Sequence, residues 1–213
     1  MGNIYQSDSM QDSSYVQKEA QYVMYIMHHK NYVKQAYEFL KNNKFDFSSI
    51  EEIDEEKFRE TLINLEPEIK SHDMSKFSDE EFEPYRRNFY PTDEEKSVED
   101  NEVLETVNKN FAEAWKHHYM FNDHHPEHWK HFLEDGQASE KELEIASPMP
   151  LSAILHMICD WTAMSYAEGH DNPVSWFNIE AKDEKKCMNP ETLKLVSKLL
   201  EVLFDRQVIT EEE

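Results

Sequence analysis

The chain has 213 residues, enough for one domain with a buried core, and its formal charge is −23 at pH 7. A field of that sign repels the backbone of long nucleic acids and anionic membrane surfaces, yet leaves room for a small nucleotide held by local cations. Only three glycines and two cysteines occur, which disfavours sheets, phosphate-cradling loops, zinc ribbons and disulfide frameworks.

Residues 1–13 are polar and aperiodic and read as a disordered arm. A helix over 14–42 follows, with Tyr22, Ile26, Val33, Ala36 and Leu40 on one buried stripe. A second helix over 49–70 is expected to start at a capping box of Ser49 and Glu52, to bury Phe58, Leu62, Leu65 and Ile69, and to kink or restart at Pro67. Ser78 should cap a short acidic helix that Pro91 stops. The next helix, over 98–121, is read with Leu104, Val107, Phe111 and Trp115 inward. Pro126 suits the first turn of a short helix to 133, and 134–149 reads as a mobile loop. Residues 150–167 are almost wholly apolar and predict a helix buried on most sides, with Cys159 as packing. After an irregular stretch, Asn189 and Pro190 start a last amphipathic helix to about 206, and 208–213 forms an acidic tail. The expected fold is therefore all-α, one helical domain over 14–207 without internal repeats. No segment reaches the roughly 20 apolar residues of a membrane span and no signal peptide is evident, so the expected location is the cytoplasm.

Eleven histidines are many for this length, and their phase separates them. His29 lies between Ile26 and Val33 on the first buried stripe, whereas His28 is turned about 100° away. His72 extends the stripe of Ile69, and His118 that of Phe111 and Trp115, while His117 points elsewhere. A single inward histidine is ordinarily a hydrogen-bonded core residue. Three of them, with Asp73 and Asp160 in apolar surroundings, are better explained by a shared metal site, because buried carboxylates need a cation or donor network. His156 lies one turn before Asp160 and reads as either a ligand or a partner of one. His128 and His131 read as an exposed polar face. Neither Glu-x-x-His nor His-Glu-x-x-His is present.

His72-Asp73-Met74-Ser75-Lys76 resembles the His-Asp-x-x-Lys element of HD-domain metal-dependent phosphohydrolases. His29 matches that family's first ligand, His124-His125 its double histidine, and Asp160 its closing aspartate, in the family's order. The overall pattern is also similar to an uncharacterised group of phage and Firmicutes proteins, which for a phage product implies the host cytoplasm. The Gly-Tyr-Pro signature of the cyclic-dinucleotide branch is absent. The resemblance implies an HD-like helical bundle and one or two divalent transition metals (Mn, Fe, Zn, Ni or Co, with Mg allowed). Their ligands would come from His29, His72, Asp73, His118, His124, His125 and Asp160, with Asp73 bridging. Asp73 and Lys76 would be catalytic, Lys76 facing a phosphate oxygen of a small nucleotide or phosphate ester. Arg86 and Arg87 are candidates for gripping that phosphate, against the plainer reading of ion pairs with acidic neighbours. Trp129, Trp161 and Trp176 either line a pocket or pack the core. No long nucleic acid or membrane partner is expected, and a homodimer is allowed for. Two rivals share the ligand pattern or the charge: an HD-type di-iron oxygenase, and a non-catalytic protein that sequesters a nucleotide or a host partner.

Overall fold

The computed structural model describes residues 5–131 and 145–208. Residues 1–4 and 209–213, where parts of the expected arm and tail fall, and 132–144 of the expected loop, lie outside that range. Among the described residues the fold is all-α: nine α-helices, two four-residue 3-10 turns and one pair of two-residue strands. The chain divides into two compact units, 1–28 with 73–121, and 29–72 with 122–213.

Unit 1 contains the first part of α1 (Tyr5–Asn42), the 3-10 turn Met74–Phe77, α3 (Phe82–Phe89), α4 (Asp93–Lys96) and α5 (Asn101–Phe121). Helix α1 starts nine residues earlier than expected, taking up most of the predicted arm. The core of unit 1 is aromatic. Tyr22, Ile26, Tyr85 and Ala114 are buried, with Phe82, Tyr90, Phe111 and Trp115 packed against them. Tyr22 meets the ring of Phe82 at 5.3 Å, and Tyr85 meets Phe111 edge-on at 5.2 Å. Leu104 is 41% exposed, contrary to its predicted inward place. Helix length explains this: α3, eight residues and about 12 Å long, covers only the C-terminal half of the 21-residue α5, about 31 Å long.

Unit 2 contains α1 from His29 onward, α2 (Glu55–Ser71), the 3-10 turn Pro126–Trp129, and the antiparallel strands β1 (Lys130–His131) and β2 (Ile145–Ala146). It ends with α6 (Leu151–Ala167), α7 (Val174–Ile179), α8 (Lys182–Cys187) and α9 (Pro190–Phe204). Helix α6 is the centre of its core, packed against α2 and α9, and it is buried on most sides as its composition predicts. Helix α2 begins at Glu55, capped by Asp54 and not by the expected Ser49 box. Ile50 and Ile53 turn into the core beside Phe47, and the Asp54 carboxylate accepts from the Lys57 amide at 2.8 Å. The predicted restart at Pro67 does not occur, because the proline sits within a continuous helix. Residue 63, whose carbonyl the proline leaves without its helical partner, lies on the exposed face, where Ile63 is 67% exposed. The Lys30 ammonium closes the C-terminal end of α2, donating to the carbonyls of Lys70 (3.1 Å) and His72 (2.9 Å). The helix predicted from Pro126 is shorter than expected, since residues 130–131 leave it to pair with 145–146.

No helix among the described residues is long and apolar enough to cross a membrane.

Candidate metal centre

In unit 2, four segments bring their histidines together. Helix α1 places His29 on the same stripe as Val33, 95% buried. The end of α2 presents His72 as its C-cap, with the backbone position fixed by Lys30. Helix α6 carries His156 and Asp160 four residues apart, on one face. The loop after residue 121 adds His124, which is buried, and His125, which is half-buried.

The distances define a convergent donor set. His29 Nε2 lies 3.0 Å from His72 Nε2 and 2.9 Å from Asp160 Oδ1, and His72 Nε2 lies 3.6 Å from the same oxygen. For metal–ligand bonds of about 2.0–2.1 Å in tetrahedral geometry, ligand atoms stand about 3.3 Å apart. The observed triangle brackets that spacing. Two imidazole Nε2 atoms and a carboxylate oxygen facing one another also need a proton or a cation among them, because their lone pairs otherwise meet. Donor atoms of His124, His125 and Asp160 lie within 4.8 Å of one another, as do those of His72, His124 and His156. The His124 ring stands 4.2 Å from that of His156 and 4.7 Å from that of His72. Neutral imidazoles with one carboxylate fit Zn, Fe, Mn and related ions, so the residues fit the metal that the family resemblance implies.

Unit 1 holds a second polar cluster. Asp73 adopts a left-handed backbone (φ 56°, ψ 20°), a conformation that aspartate tolerates better than most residues. Its Oδ2 accepts from Lys76 Nζ at 2.6 Å, and its Oδ1 lies 3.4 Å from His118 Nε2. On the other side of that imidazole, Nδ1 is 2.8 Å from Glu81 Oε2. Glu81, fully buried, also takes His117 Nδ1 at 2.7 Å and the Ser75 hydroxyl at 3.1 Å. Burial opposes protonation of His118, but its hydrogen bonds to Asp73 and Glu81 prevail and raise its pKa. For Glu81, burial works in the opposite sense, and the bonds from His118 and His117 hold its carboxyl below the usual range.

Thus the expected ligands His29, His72, His124, His125 and Asp160 gather in unit 2, and Asp73 gathers with His118 in unit 1. Lys76 is paired with Asp73 and stands 5.7 Å over the Tyr85 ring. The substrate role expected for Arg86 is corrected. Its guanidinium is fully buried, and all five N–H donors are spent on Glu83, Glu95 and the Tyr90 carbonyl. Arg87 is half-buried with Nε 3.6 Å from Glu95, so the ion-pair reading holds for both arginines. The tryptophans pack: Trp161 and Trp176 meet at 5.1 Å beside Phe177, and Trp129 donates to the Asp123 carbonyl at 2.7 Å. Cys159 is buried and its thiol pKa is pushed far up, which makes it inert packing.

Sequence reasoning passed over Glu81 and Lys30. Glu81 precedes Tyr85 by four residues and shares its inward face, a signal hidden by the acidic stretch around it. Lys30 gave no signal, since its role depends on where α2 ends.

Among known proteins, the model described as "Family of unknown function (DUF5662)" matches residues 18–202. No curated protein and no solved structure matches the chain.

Proposed function

The chain belongs to that family of unknown function, and from its own side chains we propose that it is a metal-dependent phosphohydrolase, cleaving a phosphate ester of a small nucleotide or nucleotide-like substrate with water. The observation that carries this reading is the triangle of His29 Nε2, His72 Nε2 and Asp160 Oδ1, with sides of 3.0, 2.9 and 3.6 Å. His29, His72 and Asp160 would hold the ion, and His124 and His125 extend the donor set. When bound, the ion supplies Lewis acidity and a water that ionises near neutral pH. Burial of His29, His72 and His124 keeps the donors dry and pre-oriented, whereas His125 and Asp160 remain in part exposed and give a substrate its approach. The order of the motif residues supports an HD-type centre through the resemblance, and the HD-type oxygenase shares that order.

The test is metal content of the purified protein, followed by phosphate release from nucleotides and cyclic nucleotides with Mn or Fe. His29→Ala and Asp160→Asn are expected to lose both metal and turnover. Protein that binds no metal, with phosphate release indifferent to these changes, overturns the proposal. Oxygen consumption by the iron-loaded protein in place of phosphate release reassigns the same donors to redox chemistry.

A further inference from the structure

We propose that His156 is a positioning residue for His72, the inner member of a hydrogen-bonded relay that ends at the carboxylates of Glu68 and Asp123. The inference rests on the metal centre proposed above and extends it outward. His156 Nε2 lies 2.9 Å from His72 Nδ1, and both rings are buried. Donor atoms of Glu68, Asp123 and His156 lie within 4.8 Å of one another. Read alone, that trio is a candidate second cation site.

Tautomer logic decides against it. His72 gives Nε2 to the donor triangle, so its proton is on Nδ1 and is donated to His156 Nε2. His156 Nε2 is then an acceptor, and the His156 proton sits on Nδ1. That nitrogen cannot ligate an ion, but it can serve a carboxylate across one water. Glu68, at the exposed edge, and Asp123, half-buried, are such carboxylates. The relay is built economically. Glu68 lies one turn before His72 on α2, His156 one turn before Asp160 on α6, and Asp123 immediately before His124. Three of the four segments that supply ligands, all but α1, thus also supply a member of the relay. Imidazole ligands are commonly oriented in this way through the nitrogen that does not bind the metal.

The experiment uses the full chain, 15N-labelled at histidine and loaded with Zn(II), with the ring nitrogens read by long-range proton–nitrogen correlation. Both His72 and His156 are expected as Nδ1–H tautomers. A metal-bound nitrogen on His156 overturns the relay: bound Nδ1 makes the trio with Glu68 and Asp123 a cation site, and bound Nε2 places the ion among His72, His124 and His156. A protein that takes up no Zn(II) instead overturns the centre itself, so the two failures are distinguishable. Zn(II) affinity by chelator competition gives the second reading. His156→Leu is expected to weaken binding about 10–100-fold, whereas His156→Gln, which can accept from His72 and donate outward, stays within a few-fold of the parent. Equal losses in the two variants show a merely structural role and overturn the proposal.

Discussion

At the scale of single residues, charge is organised inside the fold more than on its surface. Arg86 binds Glu95 through two N–H bonds of 2.6 and 2.8 Å, and this bond, ahead of the opposing effect of burial, lowers the Glu95 pKa from 4.5 to about 2. A carboxylate depressed in this way contributes stability above its unfolded value, and that contribution is lost as pH falls through the folded one. The stability gap between parent and Glu95→Gln should therefore be constant above pH 4.5 and close between 4.5 and about 2, by urea unfolding followed through the tyrosine and tryptophan signals. Arg86→Met should cost about 3 kcal/mol, at the low end for a broken buried pair because Glu83 and Glu95 keep some solvent; a loss below about 1 kcal/mol contradicts the assignment. Arg86 also shows where reading the sequence falls short. An arginine beside aromatic rings fits a phosphate grip and an ion pair equally well, and only the positions of Glu83 and Glu95 decide. The inward histidines were legible for the opposite reason: helical phase alone separates His29 from His28 and His72 from its neighbours.

At the scale of elements, the long helices follow from periodicity, whereas the short α4, α7 and α8 do not, and neither do several helix ends. The start of α2 depends on Ile50 and Ile53 turning into the core before the helix begins, a tertiary preference that overrides the local Ser49 and Glu52 signal. Asp54→Ala is accordingly expected to lower stability by about 1 kcal/mol, the usual worth of an N-cap, whereas Ser49→Ala should leave it within about 0.5 kcal/mol. A reversed order in thermal or urea unfolding restores the capping box. The C-terminal end of α2 is likewise set from outside, by Lys30 on the carbonyls of Lys70 and His72. Lys30→Met should weaken Zn(II) binding without altering helix content by circular dichroism, because the ammonium fixes the backbone that carries His72. An affinity equal to that of the parent removes Lys30 from the support of the centre.

At the scale of the molecule, a charge of −23 means that the folded state works against its own repulsion. Added monovalent salt should raise the melting temperature as that repulsion is screened. Zn(II) should raise it separately, since a ligand at a hundred times its Kd adds about 2.7 kcal/mol to the native state. A melting point insensitive to both salt and Zn(II) contradicts both readings. The alternation of the chain between the two units has a consequence for biosynthesis. The centre takes His29 and His72 from one stretch and Asp160 from another, with 73–121 between them. A nascent chain that has emerged only to residue 121 holds two of these donors and lacks the third. Closing so long a loop is slow, so on the ribosome the early histidines wait for α6 before they can be ordered.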